Sequence, residues 1–206
     1  AAVNLTWVAI DLTYIPLRNF WLQRNLYPVP SLPLVVPLPW LPDITPWLDP
    51  LKGIEPHRDT EAYLKAYTAL DRALQQNGPR TAESNDLLQH QVVLTTALMD
   101  SNPFISSGQA GALEKFKNRL RARTGLESAR DSANLLLSPE HLERSPWSQE
   151  RQFWSQQILP LVESNYWRSI DENGRPSDLS WRIDTPFQLL FLLDILLRAW
   201  RLKQRY

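Results

Sequence analysis

Eight prolines fall between positions 28 and 50, at 28, 30, 33, 37, 39, 42, 46 and 50, and they decide what this stretch can be. Each removes a backbone donor and fixes φ, so neither a helix nor a central strand can run through them. The spacing predicts polyproline II and turns, an extended arm over residues 23–58. Leu, Val, Ile and Trp fill the gaps, which is not the composition of a disordered linker. A stiff apolar arm needs a surface. Three are open: the chain's own helices, another protein, or a bilayer interface, where Trp40 and Trp47 would sit at headgroup level.

From residue 59 the texture turns helical. Asp59 or Thr60 can cap a helix carrying Tyr63, Tyr67, Leu70 and Leu74 at helical spacing, and Asn77-Gly78-Pro79 stops it. Thr81 opens a second helix, with Leu87, Leu88, Val92, Leu94, Thr95 and Leu98 inward, that ends at Asn102-Pro103. A third spans about 109–123, with Leu113, Phe116 and Leu120 inward and a stop at Thr124-Gly125. A fourth covers about 127–137. Ser138-Pro139 opens a short turn and Ser145-Pro146 the fifth long helix, with proline preorganising the first turn of each. Pro160 should kink or split the last one, which fades near Ile170. No period-two alternation reaches strand length, so the expected class is all-α, a helical bundle over 59–184.

Both ends are apolar. Residues 1–22 hold Asn4, Asp11 and Arg18 as polar exceptions, with Pro16 expected to kink a helix. Residues 185–206 run from Thr185-Pro186 into an apolar helix closed by Trp200, Arg201, Lys203 and Arg205. An aromatic followed by cations fits a membrane edge with a positive-inside end, and the cations also suit the helix's negative pole. The alternative is a buried core helix with a basic tail. On the membrane reading, 59–184 is extracytoplasmic, in a bacterial periplasm or a thylakoid lumen. Asp11 and Asp194 then lie at similar depth, roughly 12–15 Å from the outer edges of their helices at 1.5 Å per residue. Acids at that depth are candidates for an ion pathway, or for structural ion pairs such as Asp194 with Arg198, four residues on.

Composition excludes several classes. There are no cysteines, so disulfides, thiolate catalysis and cysteine-based metal sites are absent. Lys plus Arg (22) balances Asp plus Glu (22), leaving no field for nucleic acid. The histidines, His57, His90 and His141, have no metal-ligand spacing. His57-Arg58-Asp59 matches a kinase tripeptide without its companion motifs, and His90 reads as a half-buried core residue. Glu140-His141 and Glu143-Arg144 read as a solvated polar turn. The cations Lys115, Lys117, Arg119, Arg121 and Arg123 read as a solvated face. Lys115 and Arg119 are the candidates for docking an acidic partner or anionic headgroups.

Phe187 and Phe191, then Asp194, then Arg198 resemble the second helix of a voltage-sensor domain, which carries an aromatic, an acid and a base toward the cytoplasm. The resemblance implies a charge-transfer role for Asp194 with Phe187 or Phe191, and places Asp11 in the first sensor helix. It covers only residues 1–22 and 185–206. The chain lacks a helix with Arg at every third position, a pore filter and pore helices. In its overall Leu, Gln, Trp and Pro texture the sequence resembles membrane proteins of cyanobacteria.

The expectation is therefore a non-enzymatic, membrane-tethered helical domain that assembles with lipid and other membrane subunits. The alternative is a channel or transporter fragment using Asp11 and Asp194. No cofactor is expected, though the apolar ends would accept pigment or lipid.

Overall fold

A computed structural model describes the backbone of residues 2–23, 25–29, 32–35 and 43–205, and the side chains of 5–22 and 43–204. In chain order the elements are α1 (Ala2–Leu12), α2 (Tyr14–Gln23), β1 (Asn25–Val29), β2 (Leu32–Val35), α3 (Thr45–Leu51), β3 (Ile54–Pro56), α4 (Arg58–Asn77), α5 (Ala82–Ser101), α6 (Ala110–Thr124), α7 (Ala129–Leu136), α8 (Pro139–Arg144), α9 (Trp147–Phe153), α10 (Leu159–Glu163), β4 (Tyr166–Arg168) and α11 (Trp181–Arg205). The fold is mostly helical, as expected. It divides into a helical unit, Leu22–Leu38 with Glu55–Trp167, and a terminal unit, Ala1–Trp21 with Pro39–Ile54 and Arg168–Tyr206.

The core of the helical unit is built on α4 and α5. α4 buries Thr60, Tyr63, Tyr67, Leu70 and Leu74, and α5 buries Ser84, Leu88, Gln91, Thr95 and Leu98. Both stripes advance in alternating steps of three and four residues, the pattern of a knobs-into-holes seam. His90 falls off that stripe and is exposed, not half-buried as its apolar neighbours suggested. α4 is capped by His57, whose Nδ1 accepts from the Asp59 amide at 3.3 Å, not by Asp59 or Thr60. Thr60 is drawn into the core instead, where its hydroxyl accepts from Asn165 Nδ2 at 3.0 Å. Thr81 caps α5 as read, and Ser138, read as opening a short turn, caps the six-residue helix α8. Gly125, at φ +76°, ends α6 by returning its amide to the Arg121 carbonyl at 2.7 Å.

Pro160 acts as expected, but by widening the helix. It has no N–H to offer the preceding turn. Residues Trp154–Ile158 form a π-helical turn between α9 and α10, and the Leu159 amide reaches back to the Trp154 carbonyl. The helix ends at Glu163 rather than near Ile170, and β4 follows.

The Pro-rich segment departs from polyproline II in two places. β1 pairs antiparallel with β2, Asn25 opposite Val35 and Leu26 opposite Leu34. A two-stranded ribbon consists only of edges, where proline is tolerated. α3 forms because Pro46 occupies its first turn, where no intrahelical donor is needed. Trp40 lies outside the described residues.

In the terminal unit the expected first helix is broken at Thr13, because Pro16 cannot donate to the Leu12 carbonyl. α11 begins at Trp181, ahead of the expected Thr185 start, with the Ser180 carbonyl accepting from the amides of Ile183 and Asp184. Among the described residues no helix is long and apolar enough to cross a membrane. That removes the support for two flanking spans: the break at Thr13 shortens the first, and Asp194, Arg198, Arg201 and Lys203 dilute the second.

Candidate interaction surface

α11 is an apolar helix whose large side chains stand exposed. From Leu189 to Leu202 every large apolar side chain is at least 43 % exposed. Leucines lie on nearly all sides, so the helix has no single greasy stripe to tuck inward. Between Leu189 and Leu202 its charged residues, Asp194, Arg198 and Arg201, share one narrow face, where Asp194 Oδ2 meets Arg198 Nε at 2.9 Å with both side chains largely in solvent. Trp47 on α3 is also outward, at 82 % exposed.

Asp11 is not a solitary intramembrane acid. It pairs with Lys52, a buried lysine whose Nζ also lies 2.9 Å from Asp178 Oδ2. Beside this triad Asp49 accepts from the Tyr14 hydroxyl at 2.6 Å and from Arg18 Nε at 2.9 Å. Gly53, at φ +59°, closes the turn, and a Cβ there would collide with the Ser177 carbonyl. Burial pulls the Lys52 ammonium down, but its bonds to Asp11 and Asp178 outweigh that and hold it above its ordinary value. Burial pushes Asp178 up, and the bonds from Ser180 and Lys52 more than reverse it.

These shifts fix a pH window. Lys52 contributes stability that is present below its unfolded value of about 10.4 and lost as pH rises through its higher folded value. Asp178 contributes stability present above about 3.9 and lost as pH falls below it. Lys52→Met should therefore cost the terminal unit about 1–2 kcal/mol at pH 7, discounted because both acids are partly exposed. Urea midpoints of the parent should fall outside that window, and those of the variant should change less with pH.

The cations of α6 do not form one solvated face. Lys117 pairs with Glu114 at 2.9 Å, and Arg121 bonds Asn118 at 2.9 Å. Arg119 donates to the Gln157 carbonyl in the π-helical turn. Lys115 is half-buried and engaged. Arg123 reaches Glu150, which is fully buried, at 2.9 Å. The same Glu150 oxygen takes His141 Nε2 at 3.1 Å and the Ser145 hydroxyl at 2.7 Å. In the turn read as solvated, Glu140, Glu143 and Arg144 are exposed as expected, with Glu143 pairing with Arg80 there, while His141 is half-buried and faces Glu150. This network and the Lys52 triad escaped the sequence reading. Among the described residues no cluster of three or more His, Asp or Glu could hold a metal ion.

Compared with known proteins, the chain matches no family model, no curated protein and no solved structure.

Proposed function

We propose that this chain is a non-enzymatic helical module that works by assembly, and that α11 is the element buried when it joins a larger, membrane-associated complex. The observation carrying this reading is the exposure of every large apolar side chain from Leu189 to Leu202. A helix apolar on nearly all sides belongs in an apolar surrounding. Because no described helix is long and apolar enough to cross a membrane, the cover is read as protein subunits, with Lys203, near the basic end, beside anionic headgroups. The ion-pathway reading has less behind it, since Asp11 and Asp194 each already hold a cation of this chain, Lys52 and Arg198.

The whole chain should need an uncharged detergent or a co-expressed partner to stay monodisperse. Replacing Leu193, Leu196 and Leu197 together by Gln should relieve that need, each leucine being worth roughly 1.5–3 kcal/mol when buried. Sedimentation with and without detergent decides it. A monodisperse monomer in plain buffer overturns the reading.

A further inference from the structure

We infer that the polar stripe of α11 docks on the same stripe of a second copy of this chain, with the two helices antiparallel. The inference rests on the reading above, that α11 works in an apolar surrounding. In water the leucines of such a helix would seek cover and the charges would face out. In an apolar surrounding the demand reverses: the leucines are at home, and Asp194, Arg198 and Arg201 need polar partners. These three share one face with Phe187 and Phe191. The five positions advance by four, three, four and three residues, the path of a helix–helix seam. That seam is exposed: the side chains of Asp194 and Arg198 are 53 % and 74 % exposed and Phe191 is 48 % exposed.

The order of charges names the occupant. A parallel second copy would set Asp194 against Asp194 and arginine against arginine. An antiparallel copy centred on Leu196 sets Asp194 opposite Arg198 twice, and Arg201 opposite the Phe191 ring twice, a cation on an aromatic face. That two-fold arrangement is the self-complementary kind on which most homodimers are built. The pair within each helix persists as half of a four-member cluster, in which each carboxylate gains a second guanidinium. Charges at the centre of a seam also fix its register and direction.

The chain contains no cysteine, so introduced ones report cleanly. Phe191→Cys and Arg201→Cys are made separately in the whole chain, and oxidative cross-linking is followed in an uncharged detergent. The two variants mixed should cross-link, and each alone should not. Adding Asp194→Arg to both should cut the yield about tenfold, and adding Arg198→Asp as well should restore it. Cross-linking of each variant alone, without gain on mixing, means parallel pairing and overturns the inference. No cross-linking in a chain that still needs detergent means that another protein covers the stripe, which overturns the inference and leaves the assembly reading standing. A monodisperse monomer in plain buffer removes both.

Discussion

Arg123→Ala is expected to destabilise the helical unit by about 2–3 kcal/mol at pH 7, the cost of leaving a buried carboxylate without its cation, discounted because Arg123 itself is 39 % exposed. Glu150 has no exposed side-chain surface, and Arg123 is its one permanently charged partner among the three donors on that oxygen. Glu150→Gln removes the demand together with the charge and should cost only about 1–2 kcal/mol. The double variant should lose less than the sum of the two singles, as expected for groups in one network. Burial alone would push the Glu150 carboxyl up, but the bonds from Arg123, Ser145 and His141 hold it below the ordinary range. Its contribution is therefore present above the unfolded value of about 4.3 and lost as pH falls below it. Without Arg123 burial dominates and the carboxyl prefers its proton, so the gap between parent and variant should narrow below about pH 4. Urea unfolding followed by circular dichroism at pH 7 and pH 3.5 reads this directly. A gap that ignores pH would mean that Arg123 acts through its packing over the Phe153 ring, 5.6 Å away, and not through Glu150.

What could be read in the sequence was local. Thr81 and Ser138 cap their helices, Gly125 ends one, and Pro160 disturbs another, because each acts on backbone within a few residues of itself. What could not be read was the choice of distant partners. Glu150 and Arg123 are 27 positions apart, and Lys52 and Asp178 are 126 apart. Nothing in either stretch names the other. One signal was present and passed over. Asp11, Tyr14 and Arg18, at steps of three and four, put three polar groups on one helical face inside an apolar run. A lipid-facing helix does not afford such a face, and here Tyr14 and Arg18 are tied to Asp49 on α3 and Asp11 to Lys52, the residue that follows that helix. The hairpin of β1 and β2 was hidden because the proline rule excludes central strands and says nothing of a ribbon made only of edges. For the candidate surface, the apolar character of α11 and its Asp194–Arg198 pair were legible. That they stand exposed was not.

Trp154→Ala should cost the helical unit about 3–5 kcal/mol, while Trp47→Ala should stay within about 0.5 kcal/mol of the parent. Composition treats the nine tryptophans alike, and sequence reasoning singled out Trp40 and Trp47 as surface anchors. The geometry separates two of them. Trp154 is fully buried, with Tyr67 at 6.4 Å and Phe153 at 5.9 Å between ring centroids, whereas Trp47 is 82 % exposed on α3. The Trp154 site is also one that cannot collapse easily. It sits at the start of the π-helical turn that Pro160 imposes, so the backbone cannot tighten to fill the space the indole leaves. A cavity that stays open costs more than one that closes. The comparison therefore tests the π-helical turn as well as the core. If Pro160→Ala is added and lets the turn relax to an α-helix, the Trp154→Ala penalty should shrink, because the altered backbone can then settle into the gap. Urea midpoints of the four-member set, parent, Trp154→Ala, Pro160→Ala and the double variant, measure that coupling. Strict additivity would show that the widened helix plays no part in holding Trp154 in place.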